Sequence, residues 1–238
     1  MDVATALKGR RSIRDFKPDP IPDALLAEVL EEARWAPSWS NTQPYRLGLV
    51  SGEKRHALSA TLASSFDAGR KLQRGSAISK LKALVTREGL PSPDVAVPMD
   101  YPDDLQEARR ATGFGLYGML GIERADFAAR DRQMRRNYEF FGAPAVAFLF
   151  GHQRLGLYAA LDTGVFLQSL MLAAQARGLG TCAQGALAIW AAPVRALFDV
   201  PPDYRLLVGV SIGFPTDAAV NAFSPGRPSA DALLLKSR

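Results

Sequence analysis

A single cysteine, Cys182, stands among 238 residues, so no intrachain disulfide forms and no thiolate metal cluster is possible. A reducing compartment, the cytoplasm, is the expectation that follows. Histidine is nearly as scarce: His56 and His152 are the whole supply, which argues against a histidine-rich metal centre. Neither sits in a motif that would support a Ser-His-Asp hydrolase, and no Gly-x-Ser-x-Gly turn is present. No apolar run reaches about 18 residues, so no membrane span is expected. The segment from Met1 to Lys8 has neither the basic nor the apolar part of a secretory leader. Internal repeats and low-complexity tracts are also missing.

What remains is an ordinary globular composition, 47% apolar and 22% charged, with ample material for a core. The 29 basic and 24 acidic side chains leave a net charge of +5. Without a recognisable nucleic-acid module, that excess reads as a solvated arginine-rich surface, and no nucleic-acid partner is expected.

Periodicity places the elements. Asp2 caps a short opening helix that Gly9 stops. Pro22 and Asp23 open a longer helix to about Trp35, with Leu25, Leu26, Val29, Leu30 and Ala33 at helical spacing. A short strand follows over 46–50, then a helix from Gly52 to about Ala68. The stretch from Gly69 to Asp104, rich in glycine and proline, reads as irregular. Two charged helices follow, near 105–120 and 124–140. Strands are expected over 144–150 and 204–213, both continuous apolar runs. Between them lies a helix from Tyr158 to Arg177, apolar around most of its surface and therefore needing cover on all faces. Gly178 ends it, and a short strand follows. The order is that of an α+β fold, helices packed around one sheet, without a run of βαβ units.

Two polar clusters flank the second helix. In Arg10-Arg11-Ser12-Ile13-Arg14, three guanidiniums and a hydroxyl crowd into five residues. Their charges repel unless an anion or a polar ring sits among them, and a phosphate-bearing aromatic cofactor would satisfy both needs. The second cluster is Ala36-Pro37-Ser38-Trp39-Ser40-Asn41-Thr42-Gln43-Pro44-Tyr45.

These two clusters, with Gly178-Leu179-Gly180-Thr181 and Gln184-Gly185 later in the chain, resemble the nitroreductase family of FMN flavoproteins. The likeness runs in order from residue 2 to about 230. It implies one nitroreductase-like domain over 1–238, a mixed or antiparallel sheet surrounded by helices, and an intertwined homodimer with FMN at the subunit interface. NADH or NADPH would be the electron donor and a nitroaromatic, or a quinone, the acceptor. Other flavin chemistries on the same fold are the alternative: reductive dehalogenation, azoline oxidation, flavin breakdown, or flavin holding without turnover.

Residue by residue, Arg10, Ser12 and Arg14 match the positions that hold the flavin, where fixed positive charge favours the reduced anion. Arg11 either binds phosphate or pairs with a carboxylate. Pro37, Ser38 and Asn41 resemble the segment that crosses from the other subunit. Trp39 either walls the pocket or fills the interface. At Gln184-Gly185 a backbone N–H would face flavin N5, glycine allowing close approach. The family often carries an acid where Gln184 stands, so the charge beside the ring would change. Arg227 matches a late arginine that grips the phosphate, and Asn137 is either a flavin contact or a helix cap. No catalytic side chain and no metal are implied. The segment 91–141 would form a lid, with Tyr101, Phe114 and Tyr138 offered to the substrate. Arg109, Arg110, Arg130, Arg135 and Arg136 are candidates to meet a carboxylated nitroaromatic.

Overall fold

Strand β2 (Ala145–His152) explains the architecture, because seven consecutive residues in it are buried. Ala145, Ala147 and Leu149 join one core cluster and Val146, Phe148 and Phe150 the other. This two-residue alternation means both faces of the sheet are covered. β2 lies inside a four-stranded antiparallel sheet with β1 (Tyr45–Ser51), β3 (Gly180–Gln184) and β4 (Tyr204–Gly213), in the order β1-β2-β4-β3. The computed structural model describes residues 1–86, 89–98 and 100–237.

Helices α2 (Asp23–Ala33) and α7 (Gly156–Ala176) cover one face, burying Leu26, Val29, Phe166 and Leu170 against Tyr45, Val210 and Ile212. Helix α3 (Gly52–Arg74) covers the other through Leu58, Leu62 and Phe66, with Tyr138, Phe140, Leu187 and Trp190 filling in. The remaining helices are α1 (Val3–Gly9), α4 (Ala77–Thr86), α5 (Asp103–Met119), α6 (Phe127–Arg135) and α8 (Ala191–Arg195). The Asp2 side chain accepts from the Thr5 N–H, as its capping role requires. Gly178, at φ 74°, turns the chain out of α7.

One expectation needs correction. The stretch from Gly69 was read as irregular, yet α3 continues to Arg74 and α4 occupies Ala77–Thr86. Ile78, Leu81 and Val85 follow helical spacing, a signal hidden by the surrounding glycines and prolines. Residues 87, 88 and 99 of that stretch lie outside the described residues. Within one chain α7 is covered on one side, and Leu157 and Leu161 remain 87% and 61% exposed on the other, where a subunit interface is the expected cover. Gln153–Ala176 meets the length and composition of a membrane-crossing helix, a test that a buried core helix also passes. Counting uninterrupted apolar residues misses it because Asp162, Thr163, Gln168 and Ser169 interrupt the run. Here it packs against the sheet through Ala159, Phe166, Leu170 and Ala174.

Candidate active site

The basic cluster after α1 is held against β3. Ser12 bridges Thr181, and the Ile13 N–H donates to the Thr181 carbonyl at 2.9 Å. Close approach requires Gly180, where a Cβ would stand 2.6 Å from Ile13 Cγ1. Asn221 fixes the next residues: its Oδ1 accepts from the N–H groups of Arg14 (2.8 Å) and Asp15 (3.1 Å), and its Nδ2 donates to the Asp15 carbonyl. Arg136 pairs with Asp15 at 2.7 Å, and the Thr216 hydroxyl donates to the same carboxylate. Burial alone would raise the Asp15 carboxyl, but Thr216 and Arg136 outweigh it and hold it below its usual value.

The guanidiniums are incompletely satisfied. Among the described residues, Arg10 Nε is buried without a partner, and Nη1 reaches only the Met171 sulfur at 4.0 Å. Arg14 donates to the Ser12 carbonyl at 3.1 Å, and Arg11 is exposed. A buried guanidinium N–H facing no acceptor is costly, so this cradle suits an anionic, polar ligand. Burial pushes the nearby Cys182 thiol up to about 11, although the charges of Arg14 and Arg10 pull the other way. The thiol is inert packing at neutral pH.

At the far end of β3, Gly185 is exposed, with open space where a Cβ would lie. That leaves its backbone accessible to a planar group. Gln184 turns inward instead and is 3% exposed. Its Nε2 donates to the Asn137 carbonyl at 2.9 Å, and its Oε1 accepts from the Ser211 hydroxyl. The expectation that the Gln184 side chain sets the charge beside a ring is therefore replaced by an interior role. Arg10, Ser12, Arg14, Asn137, Gln184 and Gly185 thus gather around one edge strand.

Pro37, Ser38, Trp39 and Asn41 do not join them. They precede β1, whose Tyr45 aligns with Gly151 and through it with Arg205, whereas Ser12 aligns with Thr181 and so with Ile212 and Ala145. Six residues along the strands and three strands across separate the two clusters, about 25 Å by ideal spacings. The loop is shaped with care nonetheless. Ser40, Asn41 and Gln43 are left-handed at φ 49°, 54° and 41°, each costing about 1 kcal/mol or more. The Ser38 hydroxyl accepts from the Gln43 N–H at 2.9 Å. Asp162 of α7, 5% exposed, accepts the Trp39 N–H on both oxygens at 3.1 and 3.2 Å. Trp39 itself is 61% exposed beside Tyr158, their ring centroids 4.5 Å apart.

Of the remaining candidates, Arg227 lies on the exposed tail and donates to the carbonyls of Pro225 and Gly226. Tyr101 and Phe114 are exposed, with Arg109 and Arg124 over their faces. Tyr138 is a core residue, 2% exposed between Phe66 and Trp190, which removes it from any substrate surface. Arg135 is engaged by Asp67 and Glu139, and Arg136 by Asp15, so neither is free for a substrate carboxylate. Sequence reasoning missed Asp162, Ser211 and Asn221. Only Asp162 carried a visible signal, a lone acid inside an apolar helix.

A model of the nitroreductase family matches residues 7–214. The chain belongs to the nitroreductase family. A 4-nitrobenzoate reductase of Pseudomonas putida is 32% identical over 237 residues, 98% of this chain and 94% of that protein. Among solved structures, the FMN-dependent nitroreductase NfnB from Mycobacterium smegmatis in complex with NADPH is 33% identical, with a TM-score of 0.83 over 99% of this chain and 97% of that one. The FMN and NADPH-dependent NfnB from Sphigopyxis sp. strain HMH is 32% identical, with a TM-score of 0.86 over 100% of both. The antiparallel sheet and its two helical layers are thus the nitroreductase-like α+β fold expected above.

Proposed function

We infer that this nitroreductase-family protein is an FMN-dependent oxidoreductase that passes electrons from NADH or NADPH to nitroaromatic acceptors, as a cytoplasmic homodimer with FMN at the subunit interface. The observation that carries the reading is the division of the site into two halves. One chain holds the guanidinium cradle beside β3 and Gly185 just beyond its end; the strained loop at the opposite corner, with Pro37, Ser38 and Asn41, meets neither. A second copy, docked on the exposed α7 face and Trp39, supplies the missing half to each site. That docking also covers Leu157, Tyr158 and Leu161, which are 53–87% exposed on one chain.

FMN, when bound, supplies the two-electron relay between nicotinamide and nitro group. The chain supplies the rest. Arg10, with the unmatched Nε, and Ser12 and Arg14 hold the anionic and ribityl parts. Arg11 and Arg227, both exposed, are available to the phosphate, and Gly185 offers its N–H at N5. Asn137, just beyond α6 and donating its amide to the Met134 carbonyl at 3.0 Å, would lie beside the ring. No side chain acts as nucleophile and no metal takes part.

Helices α5 and α6 form the lid within 91–141. Neither contains a buried side chain, and α6 is tied to α3 by ion pairs of Asp131 with Arg70 and Arg74 and of Arg135 with Asp67. Trp39, Tyr101 and Phe114 present aromatic faces to the acceptor. Arg109 and Arg130, which make no ion pair among the described residues, would favour an acidic substituent, and faster turnover of nitrobenzoate than of nitrobenzene is the expected sign.

Mixing inactive variants tests the shared site. R14A damages the cradle and N41A the crossing loop. In a mixed dimer one site carries both changes and the other carries neither. Refolding the two together restores about a quarter of all sites, read as flavin bleached anaerobically by NAD(P)H. Purified protein that is colourless and refuses FMN overturns the flavin reading. Yellow protein without complementation overturns the shared site alone.

A further inference from the structure

Two observations at the end of β3 have no part in the cofactor contacts assigned above: the burial of the Gln184 side chain and the identity of its partners. Nε2 lies 2.9 Å from the Asn137 carbonyl, with a longer contact of 3.4 Å to the Asn137 side-chain oxygen. Oε1 accepts from Ser211 Oγ, and Ser211 is fully buried on β4. The amide orientation is dictated chemically. A carbonyl only accepts, so the group facing Asn137 must be a donor. Asn137 is where the chain leaving α6 returns to the core; Tyr138, Phe140 and Phe141 follow, all buried, the last two left-handed.

We propose that Gln184 is a positioning residue of the flavin site. Its amide clamps the Asn137 carbonyl to Ser211, fixing the end of β3 and with it the direction of the Gly185 N–H. The proposal rests on the flavin reading above. It gives a reason for a neutral amide at this position. An ionised glutamate has no proton for the Asn137 carbonyl and would set two acceptors against each other in a buried place. Only its protonated form reproduces the bond. The charged and titratable groups around the junction are Tyr138, Arg136 with Asp15, Arg135 with Glu139 and Asp67, and Arg10, Arg14 and Cys182 along β3.

The test compares Q184E, Q184A and S211A with the native protein from pH 5 to 9, after thermal unfolding has shown each variant folded. Two quantities are read: the Gly185 amide resonance in protein stripped of flavin, and the rate of anaerobic flavin reduction by NAD(P)H in loaded protein. In Q184E the Gly185 resonance titrates with pH while the native one stays flat. The reduction rate is near native at the acid end and about tenfold lower at the alkaline end, relative to native protein at each pH. Q184A loses a similar factor at every pH, and S211A a smaller one. The proposal is overturned if Q184E matches native protein in both readouts throughout, or if Q184A is less stable yet reduces its flavin normally. Native protein that binds no FMN would instead sink the flavin reading, leaving the resonance of stripped Q184E to judge the clamp.

Discussion

Gly180→Ala is the sharpest probe of how the fold builds the cradle. The added methyl would stand 2.6 Å from Ile13 Cγ1, 3.1 Å from its Cβ and 3.2 Å from its Cγ2. Carbon atoms rest comfortably at about 3.5–4.0 Å, so Ile13 must retreat by roughly 1 Å. The 2.9 Å bond from the Ile13 N–H to the Thr181 carbonyl would then stretch to the edge of hydrogen bonding. Overpacking of this kind costs about 1–3 kcal/mol. Ile13 lies between Ser12 and Arg14, so the displacement moves both residues proposed to hold the cofactor, and a loss of about 1.4 kcal/mol would weaken FMN binding about tenfold. Urea unfolding and a fluorescence titration with FMN measure the two effects. Ile13→Ala removes Cγ1 and Cγ2, so the double variant G180A/I13A should be less destabilised than the sum of the single changes, by about 1 kcal/mol. Strict additivity, or unchanged flavin affinity in G180A, would refute the mechanical link from glycine to cradle.

The Cys182 thiol, raised by burial to about 11 from an ordinary 9.0, holds its proton more tightly folded than unfolded. Its contribution is complete below pH 9 and is lost as the pH climbs through 11, up to about 2–3 kcal/mol. The stability of native protein should therefore fall more steeply than that of C182A over this range, and parallel curves would contradict it. Asp15 works in the opposite direction. Its depressed carboxyl stabilises the fold above the ordinary value of 3.8, and that stability drains away as acid protonates it. D15N should flatten the acid limb of the unfolding curve, and an unchanged limb would count against the Arg136 and Thr216 contacts. Asp131 holds α6 to α3 through Arg70 and Arg74. Surface pairs contribute about 0–1 kcal/mol each, so D131N should barely lower global stability while speeding amide exchange across α6. Unaltered exchange would show that α6 is held by something else.

The legible and illegible parts of the sequence divide along physical lines. Strands β2 and β4 are visible because burial on both faces writes continuous apolar runs, α7 because apolar residues occupy most of its surface, and α2 because its stripe keeps helical spacing. The guanidinium cluster and the Ser38–Asn41 loop could be found because charge crowding and turn chemistry are local. What stayed hidden depends on distance in the chain. Asn221 reaching Arg14 across 207 positions leaves no local trace. The inward turn of Gln184 depends on Ser211 and Asn137, which no spacing rule connects. Tyr138 resembled a stacking aromatic because residue type reports chemistry and says nothing of burial. Helix α4 was missed for a simpler reason: flanking glycines and prolines outweighed a short periodic segment.

One feature of α7 reaches beyond its packing. Asp162 near its start grips the loop through the Trp39 amide, and Met171 nine residues later lies under the Arg10 guanidinium. The interval is about 13 Å of continuous helix. The helix therefore acts as a caliper whose jaws hold the Ser38–Asn41 loop and the Arg10 cluster of one chain, the distance between its two points of contact set by one continuous rod. A change that slid this rod along its axis would register at both jaws together.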